Sequence, residues 1–257
     1  MLSCCLGIVL GSVKQSHVEE CHLVDNAPDN YEDNRMHVKN WIESLPHEIS
    51  AAVKSRMSRL SLVDGQFIYR RGESSTEIYL ILSGEVRMLV NSWEGKEWLA
   101  VSFQAGESFG ETSALDDDVR PHDAISHGAT QLAVLQQKDL RELQTRYPEI
   151  GKELISFLCQ RIRMGYSLST DAALLSLPSL MASRLLLIAT QYGNLSLDDA
   201  QQDLKLTHQD MAHMMGASRQ AVSKILKQWE AKGLIEISYG QIALRNIDGL
   251  KLLVEQY

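Results

Sequence analysis

An α+β fold is predicted by two shifts in hydrophobic period along the 257 residues. From about Leu60 to Leu135 apolar and polar residues alternate: in EVRMLV, Val86, Met88 and Val90 fall on one side and Arg87 and Leu89 on the other, as a half-buried strand requires. After Gln136 the repeat becomes helical. After Pro178 come a helix, two helices joined at Gly216 and a hairpin turning at Tyr239-Gly240, the order of a winged helix-turn-helix. The expected chain is a β-roll, a long central helix and a winged helix-turn-helix.

Taken in order, MHVKNWIESLPHEIS opens with an amphipathic helix, and DNAPDNYEDN before it reads as a polar linker. Residues 1–37 are therefore expected to be a disordered extension or a non-native start, with Met36 as the alternative first residue. The segments GQFIYRRGE, EIYLILSGEVRMLV, KEWLAVSFQAGESFGE and ATQLAVL, punctuated by Gly65, Gly72, Gly84, Gly106 and Gly110, predict a compact antiparallel barrel or roll. KDLRELQTRY predicts a short helix. Pro148 then stands where a new helix can start, and EIGKELISFLCQRIRMGYSL continues it, with Ile150, Leu154, Phe157, Leu158, Ile162 and Leu168 on one broad face. A long helix with such a stripe, set between domains, pairs with its copy in a homodimer.

Composition narrows the function. With 44% hydrophobic and 23% charged residues the chain can form two cores, and a net charge of -8 argues against a protein coated in positive charge. A local basic face remains compatible: from Lys205 onward seven Lys/Arg (205, 219, 224, 227, 232, 245, 251) stand against five Asp/Glu (210, 230, 236, 248, 255). Four cysteines (4, 5, 21, 159) fit a reducing, cytoplasmic setting. MLSCCLGIVLGSVK lacks the basic start of an export signal, and no apolar run reaches membrane-spanning length. No nucleophile–base pair, metal triad or phosphate-cradling glycine loop supports an enzyme.

The strongest motif is GASRQAVSKILKQWEAKGLI, residues 216 to 235. On a helix beginning after Ser218, Ala221, Val222, Ile225, Leu226 and Trp229 form an apolar stripe, and Arg219, Gln220, Ser223, Lys224 and Lys227 a polar one without a carboxylate. Thr207 with Asp210 three residues on has capping-box spacing, Gly216 marks a sharp turn, and Ser218 is placed to cap the second helix. The first turn of such a helix enters the DNA major groove. Arg219 suits guanine and Gln220 adenine, Lys224 a base or a phosphate, and Thr207 and Lys227 phosphates.

The domain order, with GQFIYRRGE, EIYLILSGEVRML, FGE at 109 to 111 and LTHQDMAHMMGASRQAVSKILK, resembles the cyclic-AMP receptor protein/FNR superfamily of bacterial transcription factors over roughly residues 38 to 245. The resemblance implies a homodimer that binds double-stranded DNA and contacts RNA polymerase. It also implies the domains: a cyclic-nucleotide-binding-like sensor over 38–147, a dimerisation helix and hinge over 148–177, and the winged helix-turn-helix over 178–257. Cyclic-nucleotide-binding members carry a cassette running from Gly-Glu to Arg-Ser/Thr-Ala, in which a carboxylate meets the ribose and the Arg meets the phosphate. Here Gly110, Glu111 and Arg120 match it.

The cassette departs after Arg120. Pro121 has neither hydroxyl nor N–H, and His122 replaces a small alanine. A one-residue insertion would instead put His122 at the Arg position and Asp123 at the Ser position. Asp116, Asp117 and Asp118 disfavour an anion if they point inward, and Glu111 is open to a ligand-free ion pair with Arg120. Tyr166 falls near the adenine-facing part of the central helix, with stacking on a ligand or packing in the dimer seam as its uses. The cysteine spacing does not suit an iron–sulfur cluster, and the histidine pairs lack further metal ligands, so neither cofactor is expected. The leading function is a ligand-modulated, sequence-specific transcription regulator. The rivals are a ligand-independent regulator with a structural cassette and a redox-responsive one.

Overall fold

The computed structural model describes residues 40–74, 76–93, 97–192 and 202–255. The extension 1–37, with Cys4, Cys5, Cys21 and Met36, lies outside the described residues. The helix expected from Met36 is placed later. Residues 40–44 form turns that bury Trp41 and Ile42, and α1 (His47–Ser55) starts after Pro46, whose fixed φ suits a helix entrance.

The roll follows, with β1 (Ser58–Leu62), β2 (Phe67–Tyr69), β3 (Glu77–Asn91), β4 (Glu97–Gln104), β5 (Ser108–Phe109), a short helix α2 (Glu111–Asp116) and β6 (Asp123–Gln136). The strands pair antiparallel in the order β1-β6-β3-β4, with β2 on β6 and β5 on β3. The register sets Ile78 opposite Leu135, Tyr79 opposite Val134 and Leu80 opposite Ala133. This explains why YLIL and LAVL are unbroken apolar runs rather than alternating ones. Ile78, Leu80, Ala133 and Leu135 pack towards a helical layer, while Tyr79, Ile81, Leu132 and Val134 line the roll's interior with Phe103 and Phe109. Both faces of the central strands are buried there, so both sets of side chains must be apolar.

The helical layer consists of α1, α3 (Gln137–Arg146) and the first half of α4 (Glu149–Leu174). The broad face expected for the central helix divides in two. Ile150, Leu154 and Phe157 are buried in the core of their own helical layer, and Leu158 packs partly against it. The exposed apolar stripe keeps only Ile162 of that face: it consists of Ile155, Cys159, Ile162 and Tyr166, continued by Ser169 and Ala173. Its steps of four and three residues are those of a heptad seam.

The C-terminal part packs α5 (Leu177–Tyr192), β7 (Gln202–Leu204), α6 (His208–Met215), α7 (Arg219–Ala231), β8 (Ile235–Ser238), β9 (Gln241–Leu244) and α8 (Ile247–Glu255). Met181 and Leu185 of α5, Met211 of α6, Val222, Leu226 and Trp229 of α7, Ile242 of the hairpin and Leu250 of α8 share one core. Burying each large apolar side chain there stabilises the fold by about 1.5–3 kcal/mol. The strands order as β7-β9-β8, so the hairpin gains a third strand, which together with α2 and α8 was not anticipated. No helix among the described residues is long and apolar enough to cross a membrane.

Candidate functional site

The helix pair is built by local chemistry. Thr207 Oγ1 accepts from the Asp210 N–H at 3.0 Å, and the Thr207 N–H donates to Asp210 Oδ2 at 3.0 Å, which closes a capping box on α6. Gly216 ends α6 with φ 60° and ψ 24°, a left-handed turn that glycine adopts without strain. Ser218 Oγ then accepts from the Ala221 N–H at 3.2 Å and starts α7. Val222, Leu226 and Trp229 are buried, and Arg219, Gln220, Lys224 and Lys227 are exposed on the other side, with no acidic residue in the first turn. Four long polar side chains and the positive end of the helix dipole thus face solvent together.

Two of the residues expected to contact DNA have internal uses. The Thr207 hydroxyl donates to Asp210 Oδ2 at 2.7 Å, so both of its hydrogen-bonding functions serve the cap. Ser223 Oγ lies 2.9 Å from His208 Nδ1 and joins α7 to α6. Burial first, then the charges of Arg219 and Lys227, hold the His208 imidazole below its ordinary value of 6.5.

Contacts from the roll reach α6. Arg87 of β3 donates to Asp210 Oδ1 at 2.7 Å and to Glu85 at 2.7 Å, and Ser102 donates to Glu85 at 2.6 Å. Burial would raise the Asp210 carboxyl, but the Thr207 hydrogen bonds and the Arg87 charge outweigh it and hold it low. His213 Nδ1 lies 3.2 Å from Glu97, and Trp98 Nε1 donates to the Met214 carbonyl at 3.4 Å. None of these pairings between roll and α6 had a sequence signal, because each joins residues more than a hundred positions apart.

The cassette residues come together, but in an arrangement other than the one expected. Arg120 is 1% exposed and turned inward. Its Nη1 donates to the Gly110 carbonyl at 2.9 Å and its Nη2 to the Glu77 carbonyl at 2.6 Å, with the guanidinium 4.3 Å over the Tyr69 ring. Gly110 has φ 91°, and a Cβ there would stand 2.9 Å from Arg120 Nη1. Glu111, also 1% exposed, is paired not with Arg120 but with Arg161 of α4, 3.6 Å away, and its Oε1 has no hydrogen-bond partner. Arg161, which the sequence reading missed, also donates to the Ser108 carbonyl and stacks on Phe103 and Phe157.

The acidic loop does not point inward as a cluster. Asp117 is held by Arg141 at 2.8 Å and Gln137 at 2.6 Å, Asp118 accepts from the Val119 N–H, and Asp116 accepts from the Asp118 N–H. His122 is half-buried, its pKa lowered by burial and then by Arg71. Tyr166 is 71% exposed on the α4 stripe, away from the cassette. Against a cyclic nucleotide the fit is divided. The unpartnered Glu111 oxygen suits a ribose hydroxyl, whereas Arg120 directs its Nη donors to main-chain carbonyls, with Nη2 also 4.0 Å from the Glu77 carboxylate, and Pro121 offers none. Among the described residues no group of three or more His, Cys, Asp or Glu could hold a metal ion.

A sensor-like roll joined by a long helix to a winged helix-turn-helix defines a class of DNA-binding transcription regulators, and the comparisons agree. Residues 59–147 match the cyclic nucleotide-binding domain, and residues 181–253 the Crp-like helix-turn-helix domain. The chain is 30% identical to the cAMP-activated global transcriptional regulator CRP of Haemophilus influenzae, over 64% of this chain and 73% of that one. It is 24% identical to the CRP-like cAMP-activated global transcriptional regulator of Mycobacterium tuberculosis, over 78% and 89%. A CRP/FNR-family transcriptional regulator from Thermus thermophilus superposes with a TM-score of 0.64 at 27% identity, over 77% and 99%. A CooA mutant from Carboxydothermus hydrogenoformans shares the fold with a TM-score of 0.70 at 18% identity, over 86% and 98%. The chain belongs to the cyclic-AMP receptor protein/FNR superfamily of transcription regulators, which are not enzymes.

The His208 environment has a measurable consequence. A histidine held low in the fold takes up its proton more readily when unfolded. Its neutral form therefore costs no stability above pH 6.5, and stability is lost as pH falls from 6.5 to the folded value. An NMR titration should give His208 a midpoint below 6.5, and His208→Gln should flatten this part of the pH dependence of unfolding. A midpoint above 6.5 contradicts the assigned environment.

Proposed function

We propose that the chain is a homodimeric, sequence-specific DNA-binding transcription regulator whose roll is modulated by a small ligand. The observation that carries the reading is α7 itself, with Val222, Leu226 and Trp229 buried on its apolar side and an exposed side bearing Arg219, Gln220, Lys224 and Lys227. Arg219 and Gln220 read base edges, Lys224 a base or phosphate, and Lys227 a phosphate. Ser218, Thr207 and Ser223 act by fixing the helix pair on which these residues stand. Such a regulator works in the cytoplasm, at promoters, beside RNA polymerase.

The α4 stripe is the dimer seam. Ile155, Cys159, Ile162 and Tyr166 occupy successive heptad positions, so two copies of α4 bury them against each other and set the two α7 helices on successive turns of DNA, about 34 Å apart. The ligand acts by population shift. The contact between Arg161 and Glu111 ties the seam helix to the cassette, so a change at Glu111 biases the two helix arrangements.

A second reading is favoured by Arg120, whose donors already meet Gly110 and Glu77. In it the cassette is a self-contained brace and DNA binding needs no effector. Calorimetric titration with cyclic AMP, cyclic GMP and cyclic di-GMP separates the two. Saturable binding supports ligand control, and silence from protein that still binds DNA supports the brace.

On a duplex enriched from random sequence, Arg219→Ala should cost about 1–3 kcal/mol, with little change on random DNA. Lys227→Ala should weaken both equally and lower the salt slope by about one. Equal losses with Arg219→Ala, by fluorescence anisotropy, would remove its base-reading role. For the seam, Ile162→Asp should halve the mass by light scattering. Oxidation of a chain with Cys4, Cys5 and Cys21 changed to Ser should link two copies through Cys159, and an unlinked chain of unaltered mass would place the interface elsewhere.

A further inference from the structure

Between the roll and the helix-turn-helix lies a cleft of about 830 Å³, within the range of small-molecule sites. Its walls are β4 with Trp98 and Val101, Leu168 of α4, Leu187 of α5 and Met214 of α6. None of the cassette residues Gly110, Glu111 and Arg120 lines it. Arg184 of α5 also lines it. The guanidinium donates to the Leu168 carbonyl at 3.3 Å, and among the described residues it forms no ion pair. The nearby carboxylate, Asp171, accepts from Ser183 at 2.7 Å. Burial lowers the Arg184 pKa, and Asp171 offsets only part of that.

We propose that this cleft binds a small amphiphilic carboxylate of the fatty-acid type, with its head on Arg184 and its apolar chain along Trp98, Val101, Leu168, Leu187 and Met214. A cation withdrawn from water without an ion-pair partner favours an anion at that end. A carboxylate matches the guanidinium fork, and the apolar part of the lining suits an alkyl chain, with polar groups at Glu85, Ser102, Gln104, Ser169 and Asp203 beside it. Of the other cations on the lining, Arg87 is already paired with Glu85 and Asp210, and Lys205 is exposed to water. An occupant would bear on α6 directly, because Trp98 and Met214 already touch across the same cleft.

The test uses the full chain and dodecanoate below its micelle concentration, with dodecanol as the headless control, read by calorimetry and by the fluorescence of Trp98. The expected result is one saturable site per chain, a fluorescence change absent in Trp98→Phe, and affinity about ten- to hundredfold lower in Arg184→Gln. Dodecanol binding should be weak and indifferent to that substitution. Val101→Phe, which adds bulk to the cleft wall and keeps Arg184, should abolish binding of both. No binding by dodecanoate, equal binding of acid and alcohol, or binding that survives Val101→Phe overturns the proposal. The same samples are assayed for DNA binding and, by circular dichroism, for folding. A chain that binds DNA but not dodecanoate refutes the cleft alone, and one that binds dodecanoate but no DNA refutes the proposed function alone.

Discussion

One carboxylate links the two halves of the molecule. Asp210 commits Oδ2 to the capping box of α6 and Oδ1 to Arg87, a residue of the roll. Its position is thus set twice, once by the first turn of its own helix and once by a strand 123 residues away. Glu85 holds the same guanidinium from the other side and is itself held by Ser102, so the pair sits in a small polar network rather than standing alone. Such networks are worth more than isolated surface pairs because each charge is partly shielded from water and already oriented. The link is made only where Asp210 is ionised. The contribution of its depressed pKa is complete above the ordinary Asp range and is lost as pH falls through the folded value.

Legibility in the sequence followed range. The caps at Thr207 and Ser218, the Gly216 turn and the two stripes of α7 depend on residues within a few positions of one another, and all were readable. The roll was readable as a class because strands betray themselves by alternation. Its central strands break that rule at YLIL and LAVL, and the reason lies in the helical layer that covers their second face. The central helix was found but its faces were confused: Ile150, Leu154 and Phe157 look like seam residues by spacing, yet they serve the core of the helical layer. Spacing reports that a face is apolar, not what covers it. The inward turn of Arg120, the reach of Arg161 to Glu111 and the grip of Arg87 on Asp210 all depend on tertiary placement. No local pattern could have announced them.

Within the cassette, two buried charges have exchanged the partners that proximity in sequence suggests. Arg120 lies against Tyr69 and two carbonyls, and Glu111 faces a cation from another element. A buried carboxylate with one paired oxygen and one unsatisfied oxygen is a costly arrangement to maintain. Gly110 permits the inward turn of Arg120, since a Cβ there would stand 2.9 Å from its guanidinium. The substitutions at Pro121 and His122 therefore alter the rim of the cassette while its floor keeps an interlocked geometry.

The length of α4 gives Arg161 mechanical advantage. Thirteen residues separate Arg161 from Leu174 at the end of the helix, a lever arm of about 20 Å. A tilt of about 5° at the cassette would carry the far end through nearly 2 Å, comparable to the helix shifts that switch other proteins. A modest readjustment of one buried ion pair would thus arrive at α5 as a displacement larger than its cause, with no intermediate element required to amplify it.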